Sequence, residues 1–138
     1  MKSVEDALLQ RIARGLLIEQ DEYDQLWQDL PPEELARALA KRHAHTNETQ
    51  SLVEAARLYA HAGFLYEALE VCSRAPRVPE LRKITRSVLP QVQQEYPQTR
   101  LVGKLLEEAF IVIDLESGEI VRFPPLISGT MGAVDDVK

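Results

Sequence analysis

Apolar residues recur at helical spacing over most of the chain and shift to strand-like spacing only near residue 109. The clearest helical stretch runs from Gln50 to Pro76. Leu52, Ala55, Ala56 and Tyr59 share one face, and Leu65, Ala68, Leu69 and Cys72 share another. Gly63 follows the first run where a helix end favours a left-handed residue, and glycine enters that region without steric cost. Pro76 stops the second helix because it cannot donate the next helical bond. Ala56 and Ala68 let two antiparallel helices approach closely, with Tyr59 filling the space beside them.

Upstream, Ser3 and Asp6 form a capping-box pattern. Val4, Leu8, Ile12 and Leu16, flanked by Leu9 and Ala13, then form an apolar face. Gly15 lies inside that pattern and weakens it. A turn near Gln20 and Asp21, with Asp21 as cap, leads into a short helix that takes Tyr23, Leu26 and Trp27 inward. Trp27 reads as a core residue, with an exposed binding anchor as the alternative. Pro31-Pro32-Glu33-Glu34 opens a further helix. Leu35, Ala36, Leu39 and Ala40 face inward there, and Lys41, Arg42 and His43 suit the negative end. Asn47 with Gln50 caps the central hairpin.

Downstream, Pro79 opens a helix through Leu81, Ile84, Val88 and Leu89. Pro90 is expected to kink or end it. Val92 and Tyr96 continue its face, and Pro97 ends it. A last short helix is expected from Thr99 to about Glu108, carried by Leu101, Val102, Leu105 and Leu106.

The stretch AFIVIDLESGEIVRF is rich in β-branched and aromatic residues around Ser117-Gly118. It predicts strands at 109–115 and 119–123. A two-residue loop would oppose Glu116 to Glu119. A three-residue loop opposes Ile113 to Val121 and Ile111 to Phe123, and is preferred because it keeps apolar residues together. Ile111, Ile113, Val121 and Phe123 then face the helices, while Phe110, Val112 and Ile120, or the free strand edge, meet another chain, either a second copy or a different protein. Pro124-Pro125 ends the pairing. The expected fold class is mainly α, built of antiparallel helical hairpins with a C-terminal β-hairpin. Residues 1–127 form a single domain, and residues 128–138 a flexible tail.

The order Leu52, Ala55, Ala56, Tyr59, Gly63, Ala68, Cys72, Ala75 resembles the tetratricopeptide (TPR) repeat over about one repeat, residues 49–79. The small positions and the tyrosine are kept. Leu52 stands for the family's tryptophan, Ala55 for its leucine and Cys72 for its second-helix aromatic, and Pro79 comes one residue early. The resemblance implies a helical protein-interaction scaffold. Gln50, Val53, Arg57, Ala60 and His61 would line its groove. They do not match the basic clamp by which some TPR proteins hold a C-terminal carboxylate.

At 138 residues, with 45% hydrophobic and 28% charged residues, the chain is of a size to bury one core without metal or disulfide staples. One cysteine excludes an internal disulfide and fits a reducing compartment. The apolar runs are too short for a membrane span, and the acidic start is unlike a signal peptide. A cytoplasmic protein is therefore expected. Charge is uneven: residues 1–35 carry nine acids and three bases, residues 36–104 six acids and eleven bases, and residues 105–138 seven acids and two bases. The basic group Arg74, Arg77, Arg82, Lys83 and Arg86 is the leading candidate for recognition, with an acidic protein surface as its partner. A pI near 5.1 and the lack of aromatics among these bases argue against nucleic acid, which remains the alternative reading.

His43 and His45 diverge by about 200° on a helix and cannot share a metal easily. His61 and Cys72 lie on opposite arms of the hairpin without zinc-site spacing, and Cys72 occupies a core position, where a structural thiol is the default. Neither a metal, a cofactor nor a catalytic residue is expected. The expected function is a non-enzymatic protein-interaction module, an adaptor, assembly factor or chaperone-like partner. It would act through Arg57 and His61 in a helical groove, through the basic group, or through Phe110, Val112 and Ile120 on the hairpin, which also offers a route to a homo-oligomer.

Overall fold

The computed structural model describes residues 4–107 and 109–123. Among them the chain forms α1 (Val4–Ala13), α2 (Gln20–Asp29), α3 (Pro32–Thr46), α4 (Thr49–His61), α5 (Leu65–Ser73) and α6 (Pro79–Glu95). Strands β1 (Leu101–Leu105), β2 (Phe110–Asp114) and β3 (Ile120–Phe123) follow. The protein is mainly helical, with a three-stranded antiparallel sheet of order β1-β2-β3 at its C-terminal end. Helix α3 packs on α1 and α4, α4 on α5, and α6 on both α5 and α4, while β3 lies against α5. One buried cluster runs through these layers, from Leu8 and Ile12 through Leu35, Leu52, Leu69 and Leu81 to Ile111 and Ile113. Truncating one such leucine to alanine costs about 2–5 kcal/mol.

The central hairpin forms as its sequence pattern requires. Ala56 and Ala68 are fully buried, with Tyr59 beside them. Gly63 is left-handed at φ 87°. Its N–H donates to the Ala60 carbonyl, and the Phe64 N–H donates back to the Tyr59 carbonyl at 2.9 Å. This pair of bonds satisfies the carbonyls that a helix end leaves open, and the Tyr59–Phe64 ring contact at 6.2 Å packs over it. A Cβ at Gly63 would meet nothing within 4 Å. The cost of an alanine there is therefore conformational, about 1–2 kcal/mol.

Several helix ends differ from expectation. Helix α1 stops at Ala13, so Leu16 is exposed rather than part of its apolar face. Helix α2 is capped by a reciprocal Glu19–Glu22 box, not by Asp21. Asn47 closes α3 in the left-handed region at φ 58°, and Glu48 takes the N-cap of α4. Helix α6 runs through Pro90 to Glu95. Pro90 sits on the exposed side, while Val88 and Val92 hold the turns around it in the core. The burial of both turns outweighs the one lost hydrogen bond.

The largest correction lies at residues 99–108, where a strand replaces the expected helix. Leu101–Leu105 pairs with β2 from Leu101↔Asp114 to Leu105↔Phe110. Gly103, a poor helix residue, accommodates the Phe110 ring: a Cβ there would lie 2.9 Å from the ring's Cζ. The hairpin register also differs, with Ile113 opposite Ile120 and Ile111 opposite Arg122. The Asp114 carboxylate accepts hydrogen bonds from the backbone N–H groups of Glu116 and Ser117. The Gly118 N–H donates to the Asp114 carbonyl at 2.7 Å. This aspartate-centred loop spans Leu115–Gly118, longer than either loop considered from sequence. Because side chains alternate, the change of register sends Ile120 inward and Val121 and Phe123 outward. Ser3 as a cap, Pro124-Pro125 as a strand end and the tail from Ser128 fall outside the described residues.

Candidate interaction surfaces

A groove of about 480 Å³ lies between α2, α4 and α6. Helix α4 contributes Arg57, Leu58, Ala60 and His61, and α6 contributes Ile84, Ser87 and Gln91. Both sets follow helical spacing, so each helix turns one stripe toward the opening. Trp27 of α2 forms a wall and is 45% exposed, which corrects its expected place in the core. Tyr23 meets Trp27 edge-on with ring centroids 6.2 Å apart, and the Tyr23 hydroxyl donates to Glu54 of α4. Burial, and then that bond, push the Tyr23 phenol upward in pKa. The tryptophan wall is thereby tied to the helix that forms the floor. Arg57 and His61 have no hydrogen-bond or ion-pair partner among the described residues, and no carboxylate lines the groove.

The basic group divides. Arg77, Arg82, Lys83 and Arg86 are exposed, and Arg82 and Arg86 line a second cleft of about 430 Å³ between α6 and the β2–β3 turn, shared with Glu119. Arg74 faces inward instead. Its Nε and Nη2 each donate to Glu70 at 2.8 Å, and its Nη1 donates to the Ala40 carbonyl at 3.3 Å. Glu70 is only 3% exposed and also accepts from Arg122 Nε of β3 at 2.6 Å. Arg74 is therefore engaged within the fold, unlike the rest of the group. The Glu70–Arg74 pair was visible in sequence as an i,i+4 spacing. Arg122, 52 residues away, was not.

His61 opens on the first groove, whereas Cys72 lines the second. Burial pushes the Cys72 thiol up to about 11, away from the thiolate that nucleophilic chemistry needs. No cluster of three or more metal-ligating side chains occurs among the described residues, and no described helix is long and apolar enough to cross a membrane.

The third surface is the face of the sheet turned away from the helices. Leu101 is 57% exposed, Leu105 72%, Val121 47% and Phe123 45%. The register puts Gly103, Phe110 and Val112 on this same face. Ile120 lies on the opposite face and is partly buried against the core, which corrects its expected exposure. No protein-family model, curated protein or solved structure matches the chain.

Proposed function

We propose that this chain is a non-enzymatic protein-interaction module, an adaptor or assembly factor, that seats a segment of a partner protein in the groove between α2, α4 and α6. The observation that carries the reading is the groove's composition. A pinned, half-exposed Trp27 and the apolar Leu58 and Ile84 stand beside Arg57 and His61, which have no ion pair among the described residues, and no acid is among the described lining residues. Such a site favours a segment that brings an apolar anchor and a carboxylate together. The resemblance to TPR repeats supports the same reading, and we propose that the helical part is TPR-like. A single cysteine, well buried, supports a cytoplasmic setting.

Trp27 is the only tryptophan, so its fluorescence reports on this groove alone. Peptides selected from a random library against the full chain should combine an acid with an apolar residue and shift Trp27 emission. They should lose at least tenfold in affinity on Arg57→Glu. Selected peptides that bind without moving Trp27 emission, or that ignore Arg57→Glu, would refute the reading. A nucleic-acid regulator is the second reading, favoured by four exposed bases, Arg77, Arg82, Lys83 and Arg86, that have no ion pair among the described residues. It requires salt-sensitive retention of nucleic acid that Arg82→Glu with Lys83→Glu removes.

A further inference from the structure

We infer that the outer face of the sheet packs against the same face of a second copy of this chain. Three observations carry this. The first is chemical. Leu101, Leu105, Phe110, Val112, Val121 and Phe123 form a continuous patch across all three strands. Asp114, the acid at the turn end of β2 on this side, is held by Arg100. Elsewhere the protein is strongly charged, with a net charge of −6. A charged partner surface would have to strip its charges of water against this face without receiving counter-charges in return. The same face of a second copy is equally neutral, and a two-fold axis sets like against like.

The second observation is shape. The Phe110 ring lies over the bare backbone of Gly103, and Phe110 and Phe123 pack together with centroids 6.1 Å apart. The aromatic rings thus lie along the sheet and fill its centre. Sheets with such faces stack about 10 Å apart with interdigitating side chains.

The third is position. Among the described residues no element covers this side of the sheet, which faces away from the helices. It is also small. Three strands of about five residues span roughly 14 by 17 Å, less than the roughly 800 Å² per partner of a standard stable interface. The dimer is therefore expected to be weak and transient.

Sedimentation velocity and equilibrium of the full chain between about 10 µM and about 1 mM test this. The chain should pass from monomer to dimer across that range. Val121→Lys and Leu105→Lys, both at exposed positions, should keep the parent's circular dichroism and raise the dissociation constant at least tenfold. Arg57→Glu, in the separate groove, should leave it unchanged, so failure here is distinguishable from failure of the groove reading. A chain that stays monomeric to about 1 mM overturns the inference, whether residues 124–138 or a different protein covers the face. A deletion after Phe123 that dimerises when the full chain does not would identify that segment as the cover. Dimerisation that both lysine variants leave intact overturns the inference equally.

Discussion

The two faces of the sheet exchange the roles that burial ordinarily assigns. The inner face contains two charged side chains, Lys104 and Arg122, alongside Val102, Ile111, Ile113 and Ile120. The outer face is nearly free of charge, yet it is the one in solvent. The inner charges are each provided for. Lys104 Nζ lies 4.6 Å from the Tyr66 ring centre and 5.5 Å from that of Tyr96, and Arg122 is bound by Glu70. Tyr66 is itself fixed by a hydrogen bond from its hydroxyl to Glu95. The comparison teaches that charge on a strand does not mark its solvent face. A lysine or arginine can lie along a helical layer with its apolar stem packed and its head group directed to a specific partner. The apolar face is then the one turned away from the helices.

Neighbouring substitutions on one strand break the comparison most sharply. Ile113→Lys puts a charge into a fully buried site without a partner. It should abolish two-state folding or cost more than about 4 kcal/mol in a urea titration. Val112→Lys, one residue away on the outer face, should cost no more than about 1 kcal/mol and leave the helical circular dichroism unchanged. Equal damage from the two would contradict the assignment of faces.

Next in size is Glu70→Ala. It leaves Arg74 and Arg122 facing each other, with side-chain exposures of 15% and 35%. Loss of one partner of a buried ion pair costs about 3–5 kcal/mol, and the partial exposure of Arg122 places this case at the low end. A denaturation midpoint like that of the parent would show that the sheet is not clamped through Glu70. Lys104→Met keeps the stem and removes the cation, so it should lower stability by less than Glu70→Ala does. A double-mutant cycle with Tyr66→Leu isolates that contact, and additivity would exclude it.

The smallest effect is a pH dependence. The Arg100 guanidinium, and then the Ser117 N–H, hold the Asp114 carboxyl below the usual carboxylate value. A depressed folded pKa means that the contribution is present above the unfolded value, about 4, and is lost as the pH falls through the lower folded value. Amide exchange at Glu116 and Ser117, referred to Asp114→Asn as control, should show turn opening below about pH 4 in the parent alone. Identical profiles would mean that Asp114 does not hold the turn.

The helical layers were legible because their information is local. The spacing of Leu52, Ala56 and Tyr59, the position of Gly63 and the Pro31-Pro32-Glu33-Glu34 start each act within a turn or two of chain. Of the proposed contact residues, Arg57 and His61 could be placed together because i,i+4 neighbours share a helix face. Trp27 beside them could not, since α2 meets α4 only through the fold. The helix-end errors were local, but the larger ones fell where a distant partner decided. Leu101, Val102 and Leu105 suit a helix face as well as a strand, and β2 selected the strand. Arg74 looked like one more surface base until Glu70 and Arg122 were seen to close around it.

By itself, then, the sequence indicated the six helices that form, together with a seventh at 99–108 that does not, the central hairpin with its left-handed glycine, and strands within 109–123. Each follows from backbone stereochemistry and side-chain period, which require no knowledge of distant residues. The tertiary structure alone decided that β1 exists, that Ile113 faces Ile120 and that no described element covers the apolar outer face. The physical reason is that strands, unlike helices, satisfy their backbone groups on other segments. A shift of one residue in that pairing costs little locally and reverses every side chain. Here the Asp114 turn and the burial of Ile111 and Ile113 against the helices selected one register, and with it which residues this protein presents to others.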